Sequence, residues 1–328
     1  MSSDLYPLCF KPVYKDYIWG GDKIVRRFHR NEPPGVYAES WEVSDRSDGM
    51  SVVSNGPLTG RTLHELVQKL GHSLVGARVK STVFPLLIKL IDSRERLSVQ
   101  VHPNDDTAAR YGGDAKTEMW YLLDGDPGAG VFAGLKPGTN ERVFKEAMQT
   151  KRFRDILNRV PVNPGDAVFI PGGRVHAIDA GCLLLEVQQN SNTTYRIYDW
   201  DRVGTDGKPR ALHLEEALRV INWKDQGNPK VVPRKLESQG VKERWQILKT
   251  EYFLLERLVV SGPFKTRGDG QTFEIFFVPS NGFQLSWAGG SEILPAGTSC
   301  LVPAAMADYQ MRPDGGESEL LRITVPAH

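Results

Sequence analysis

The chain is poor in cysteine: Cys9, Cys182 and Cys300 are its only three, odd in number and widely spaced among 328 residues. That pattern argues against a disulfide framework and fits a reducing compartment, so a cytoplasmic setting is expected. Cys182 and Cys300 lie in the apolar runs GCLLLEV and TSCLVPA, where a cysteine more often packs as a small hydrophobe than reacts. Long apolar runs are missing as well, and none approaches the ~20 residues of a membrane span. The opening MSSDLYPLCFKPVYKDYIWGG has no basic start followed by an apolar core of the secretory kind. Charge of one sign is also absent, since 41 basic residues face 40 acidic ones for a net charge of +1. With no basic excess or stripe, the sequence carries no footprint for nucleic acid or a membrane surface. Any anionic partner is expected to be small and met by a local group of cations.

What the sequence has in quantity is punctuation. Its 32 Gly and 21 Pro are spread evenly and divide it into short β-forming runs, among them FPLLIKLID, RLSVQVHP, EMWYLLDG, CLLLEVQQ, FLLERLVV, FEIFFVP and LLRITV. Short strands between regular turn signals predict a mainly β fold of the sandwich or barrel kind. Helical spacing is confined to three places. Residues 61–75 put Leu63, Leu66, Val67 and Leu70 on one face, with Thr62 as cap and Gly71 as breaker. Residues 141–159 read as two short helices carrying Phe144, Ala147 and Met148, then Phe153, Ile156 and Leu157; residues 211–222 read as another. These helices are expected to pack over the β core.

Two segments share one grammar. PGDAVFIPGGRVH has Gly165, Pro171 six residues on and His176 five further; PAGTSCLVPAAMAD has Gly297, Pro303 and Asp308 at the same spacing. With the strand density on both sides, this predicts two similar β units, at 1–223 and 247–328. The polar, Pro- and Gly-bearing stretch 224–246 would link them, and Asp308 would stand where the first unit has a histidine.

The chemistry gathers around that histidine. In LSVQVHPND, strand alternation puts Ser98, Gln100 and His102 on one face and turns Leu97, Val99 and Val101 to the other. In KTEMWYLLDG, Lys116, Glu118 and Trp120 share a face in the same way. His176 follows the tight turn PGGRV. Two imidazoles, a carboxylate and an amide oxygen suit zinc, which accepts nitrogen and oxygen ligands. One dication against Glu118 leaves the site at +1, suited to polarising a carbonyl or hydroxyl oxygen. A lone histidine is more often surface or satisfied core than ligand. Gly165, Pro171, Gly173 and His176, however, fit the second cupin signature, and Gln100 and His102 stand where cupins place His-x-His.

The chain thereby resembles the type I mannose-6-phosphate isomerases, zinc enzymes of the cupin superfamily, in their short bacterial form. The words that carry the likeness are YIWGG at Tyr17–Gly21, ESWEVSD at Glu39–Asp45, FPLLIKLID at Phe84–Asp92, LSVQVHPND, KTEMWYLL, PGGRVHAI and LLEVQQNSNTTYRIYDWDR at Leu184–Arg202. They run from the start of the chain to about residue 220 in the family's order, and the last third is similar only in strand pattern. The resemblance implies two cupin-type (jelly-roll) β-barrel units with a small helical region packed against them. It implies one zinc ion held by Gln100, His102, Glu118 and His176, with Arg196, Lys89 and Lys116 catalytic. Ser98, Lys116, Trp19 and Glu186 are expected at the substrate, with Trp120 as a further wall and Arg202 and Arg210 as weaker anion contacts. It also implies interconversion of mannose 6-phosphate and fructose 6-phosphate through a cis-enediol, in a monomer or weak dimer. Lys89, inside an apolar run, is expected to have its pKa lowered by burial, so Lys89 or Lys116 is favoured over Glu186 for proton traffic. The alternatives are an isomerase of a related or unphosphorylated sugar, and a non-catalytic sugar-binding cupin.

Overall fold

The structure is a computed structural model that describes residues 5–204, 207–225, 227–306 and 308–327. The first four residues and Gln226, inside the expected linker, lie outside the described residues. The fold is mainly β, with 23 strands and seven short helices among the described residues. The strands form sheets of eight, six, five and four members. The chain divides into two compact groupings that interleave along the sequence. One takes Tyr14–Ser40 and Lys89–Val231; the other takes Met1–Val13, Trp41–Ile88 and Val232–His328. This differs from a single boundary between 223 and 247. The reason is long-range strand pairing that local periodicity does not carry: Leu8–Lys11 lies antiparallel to Ser299–Val302, with Leu8 opposite Leu301.

The expected linker is likewise structured. Val231 N–H donates to the Ala167 carbonyl and Phe169 N–H to that of Pro229, so residues 229–231 extend the sheet beside Ala167–Ile170. Farther on, Arg234–Leu236 pairs with Glu243–Lys249. Polar composition at 224–246 marks an edge, where charged side chains discourage further strand pairing.

The grouping that holds Lys89–Val231 is built from two sheets over one core. Trp120, Leu122, Val168, Ile170 and Leu184 of the six-stranded sheet meet Val131, Ala133, Val160 and Ile178 of the five-stranded sheet. The other face of the five-stranded sheet is covered by helices. Val99, Val101, Phe132, Ala177 and Ile197 pack there against Phe144, Ala147, Phe153, Ile156, Ala217 and Val220. Those helical residues sit in Glu141–Thr150, Phe153–Ile156 and Leu214–Val220. The second helix stops earlier than its spacing suggests because Leu157–Pro161 turns into a strand beside Gly130–Leu135. Strand Val99–Val101 thus buries its valines under helices and turns Gln100 to the sandwich interior. Leu97 departs from that alternation: it belongs to the interior core with Trp19 and Ile91, because the regular strand begins only at Val99.

In the other grouping, Phe276, Cys300, Val302 and Leu320 of the eight-stranded sheet pack with Phe283, Leu285, Leu294 and Met311 of the four-stranded one. The helix Leu63–Leu70 carries the expected Thr62 cap, whose side chain accepts from Glu65 N–H while Glu65 reaches back to Thr62 N–H. Both copies of the shared grammar form strand, turn and strand: Ala167–Ile170 with His176–Ile178, and Ser299–Val302 with Asp308–Asp314.

The YIWGG segment is explained by close approach. A Cβ on Gly21 would lie 2.5 Å from Asp92 Oδ2, and that same oxygen accepts from Lys23 N–H at 2.7 Å. Asp92 therefore caps the helix Lys23–Arg27 from a neighbouring strand, and Trp19 is fixed just ahead of it. Burial pushes the Asp92 carboxyl up to about 6, against the Lys23 N–H, which favours the charged form; its Oδ1 is buried with no hydrogen-bond partner among the described residues. A folded pKa above the unfolded one means that the contribution of this group to stability is greatest below about pH 4 and is lost as pH rises through about 6. Relative to Asp92→Asn, the wild type should lose up to about 3 kcal/mol of unfolding free energy between pH 4 and pH 7. Denaturant titrations of both proteins across that range check this, and a pH-independent difference contradicts it.

Candidate metal centre

Strand register assembles the site. His176 lies directly opposite Gln100, and Gln100 directly opposite Arg196, so three adjacent strands present these side chains in one row. From the facing sheet, Trp120 pairs with Glu186 and Glu118 with Gln188. The backbone beside each candidate ligand is tied to the backbone beside another. Gly173 N–H donates to the His102 carbonyl at 2.8 Å, and Lys116 N–H to that of Pro103 at 2.9 Å. The turn before His176 needs glycine here, because a Cβ on Gly172 would lie 2.6 Å from the Asn104 Cα. Arg174 locks the same turn, donating to both Asp225 carboxylate oxygens at 2.6 and 2.7 Å and to the Phe169 carbonyl at 2.7 Å.

His102, Glu118 and His176 are buried, and their ligating atoms lie within 4.8 Å of one another. His176 Nδ1–H donates to the Arg174 carbonyl at 2.8 Å, which leaves the Nε2 lone pair facing the centre. Nε2 of His176 is 3.4 Å from Glu118 Oε1, and that of His102 is 3.5 Å from Oε2. Gln100 brings its amide nitrogen to 3.2 Å from His176 Nε2, while its Oε1 accepts from Ser98 Oγ at 3.2 Å. A half-turn of the amide exchanges these two atoms and points Oε1 to the centre. Glu118 Oε1 is buried with no hydrogen-bond partner among the described residues.

The electrostatics match a cation. Burial lowers both imidazoles, His102 to about 3, with the Lys116 ammonium acting on His102 in the same direction. Burial would raise Glu118, yet Lys116 and the two histidines hold it well below the usual carboxylate range. Lys116 Nζ stands 2.7 Å from Glu118 Oε2 and 3.2 Å from His102 Nε2. Lys89 Nζ stands 3.3 Å from Glu39 and 3.5 Å from Glu186. Burial, and the Glu118 charge beside it, push the Glu186 carboxyl up from its ordinary value. Neutral imidazoles and a buried carboxylate without a hydrogen bond among the described residues are donors that suit a divalent metal.

A cleft of about 250 Å³ opens over the cluster. Trp19, Ser98, Gln100, Lys89, Lys116, Trp120, Glu186 and Arg196 all line it, so the expected site residues converge, with Leu97 on the same wall. Trp120 Nε1–H donates to Glu186 Oε2 at 2.9 Å. Arg196 Nε has no partner among the described residues, its Nη1 donating to the Ala211 carbonyl at 2.8 Å. Arg210 lines the cleft as well, held by two bonds to Asp199, whereas Arg202 binds Asp199 without lining the cleft. One expectation is corrected. Burial lowers the Lys89 pKa, but Glu39, Glu186 and Glu118 outweigh it and the net shift is upward, so Lys89 is a held ammonium. Tyr17, Glu39, Asn192 and Thr194 also line the cleft. Sequence spacing gave no sign of the last two, and Glu39 becomes visible only through its pairing with Lys89.

The comparisons with known proteins agree with this geometry. Residues 8–128 match the family described as phosphomannose isomerase type I, catalytic domain. The chain is 36% identical over 304 residues to a probable mannose-6-phosphate isomerase, GmuF, of Bacillus subtilis, which covers 89% of this chain and 94% of that protein. It is 35% identical over 260 residues to the mannose-6-phosphate isomerase of Streptococcus mutans, covering 79% and 80%. The crystal structure of the mannose 6-phosphate isomerase from Bacillus subtilis superposes with a TM-score of 0.88 at 31% identity, covering 97% of this chain and 99% of that one. With relatives at this identity aligned over nearly their whole length, the chain belongs to the type I phosphomannose isomerase family.

Proposed function

We propose that the chain is a zinc-dependent aldose–ketose isomerase that interconverts mannose 6-phosphate and fructose 6-phosphate. The observation that carries this reading is the buried His102–Glu118–His176 cluster, whose neighbours Gln100 and Lys116 line a cleft shared with Arg196 and Arg210. His102, Glu118, His176 and the Gln100 oxygen would hold one zinc ion, which when bound supplies Lewis-acid stabilisation of negative charge on substrate oxygens. Two guanidinium groups, those of Arg196 and Arg210, line the cleft, and only Arg210 is held by the Asp199 carboxylate, which favours a phosphorylated sugar over the free sugar. Arg196, whose Nε–H has no partner among the described residues, is assigned to an anionic oxygen of the substrate.

Isomerisation moves a proton between C2 and C1 through a cis-enediol. We assign the proton traffic to Lys89 or Lys116, which both line the cleft, Lys89 between Glu39 and Glu186 and Lys116 beside Glu118. Ser98 orients the Gln100 amide, Glu186 and Trp120 fix each other as one wall, and Trp19 faces them as an apolar surface. No helix among the described residues is long and apolar enough to cross a membrane. A cytoplasmic monomer or weak dimer completes the proposal.

Metal analysis with a coupled isomerase assay tests the reading. His102→Ala should lose stoichiometric zinc and at least about a thousandfold in kcat/KM on mannose 6-phosphate; a variant that kept both would refute the assignment. Arg210→Ala should lose about 10- to 100-fold in kcat/KM on mannose 6-phosphate, as expected for one charge-assisted hydrogen bond of about 1.5–3 kcal/mol, and little on unphosphorylated mannose. Equal losses on both sugars would count against a phosphate at Arg210. Asp225→Ala, which releases Arg174 and so the His176 turn, should weaken zinc binding by about 10- to 100-fold in competition with a chelator. Unchanged affinity would mean that this support is dispensable.

A further inference from the structure

Cys9 and Cys300, at opposite ends of the sequence, are direct cross-strand partners in the eight-stranded sheet. The Cys9 N–H donates to Asn55 Oδ1 at 3.0 Å and its carbonyl accepts from Ser54 N–H at 2.8 Å. In an antiparallel strand both main-chain groups of a residue point to the same side, so here they point away from Cys300. The two cysteines therefore form a non-hydrogen-bonded pair, the kind whose Cα atoms lie about 4.5 Å apart with side chains closest. That separation falls inside the disulfide range of about 4.4–6.8 Å. Direct partners share a face of the sheet, and Cys9 packs against the core cluster that contains Cys300. Cys9 is half-buried, while Cys300 is fully buried.

We propose that Cys9 and Cys300 form a reversible cross-strand disulfide, an oxidative modification site that ties the first strand, Leu8–Lys11, to Ser299–Val302. The oxidant is a small-molecule disulfide such as oxidised glutathione. The Cys9 thiolate attacks one of its sulfurs and releases one glutathione thiolate. Cys300 then loses its proton and attacks the Cys9 sulfur, releasing the second glutathione. Two protein thiols are oxidised to one disulfide, and one small-molecule disulfide is reduced to two thiols. The hydrogen bond with Cys9 and burial both hold the Cys300 thiol well above its ordinary pKa, and nearby Glu292 acts in the same direction. Cys300 is thus the thiol that resists ionisation, so the reaction is run at about pH 8.5.

The full-length, metal-loaded protein is treated with oxidised glutathione, and its intact mass and peptide map are recorded. The wild type should lose about 2 Da and yield a single Cys9–Cys300 peptide that dithiothreitol splits, leaving Cys182 as a free thiol. Cys300→Ser should instead stop at a glutathione adduct on Cys9, about 305 Da heavier, and Cys9→Ser should form no internal disulfide. A wild type that stops at the same adduct, stays fully reduced, or links either cysteine to Cys182 overturns the proposal.

Discussion

The site depends on one antiparallel register: His176 opposite Gln100, and Gln100 opposite Arg196. A slip of one residue in Val99–Val101 would turn Gln100 under the helices and bring Val99 or Val101 to the interior. The register is protected by what lies on the other face, where both valines are fully buried against the helical layer. The helices that look peripheral to the chemistry thus fix which side chains reach it. The main-chain bonds from Gly173 to His102 and from Lys116 to Pro103 then set the spacing between strands that carry different ligands.

The chain also contains a buried charge network that works in the opposite sense. In the eight-stranded sheet, Glu256 has one oxygen bonded to Arg244 and the other to Arg322, while Arg322 also reaches Glu274 at 3.2 Å and Tyr309 hydroxyl donates to Glu274. Both oxygens of Glu256 are taken, so that network is closed and holds strands together. Glu118 differs because both of its oxygens are buried without a hydrogen bond among the described residues, Oε2 only ion-paired with Lys116, beside two neutral imidazoles. Leaving such a group unsatisfied is costly in a low-dielectric interior, and a bound cation removes the cost. This contrast separates a structural ion network from a centre built to receive an ion.

Much of this was legible in the residues. Glycine and proline spacing gave the mainly β fold, and periodicity located the helices at Leu63–Leu70, Glu141–Thr150 and Leu214–Val220. Alternation grouped Gln100 with Ser98, and Glu118 with Lys116 and Trp120. Three things were hidden for the same physical reason, that each is set by distant partners. The interleaving of the two groupings rests on the pairing of Leu8–Lys11 with Ser299–Val302. The raised pKa of Lys89 rests on Glu39 and Glu186, which no local reading joins to it. The structure within 224–246 rests on hydrogen bonds to Ala167 and Phe169 and on pairing with Glu243–Lys249.

The proposed centre holds one zinc ion on His102, Glu118, His176 and Gln100. X-ray absorption at the zinc edge, on protein loaded with one equivalent of metal, reads the ligand shell directly. The proposed ligand set gives a shell of only nitrogen and oxygen neighbours at about 2.0–2.2 Å, with outer scattering from two imidazole rings. A sulfur neighbour at about 2.3 Å, or scattering from fewer than two imidazoles, would contradict it.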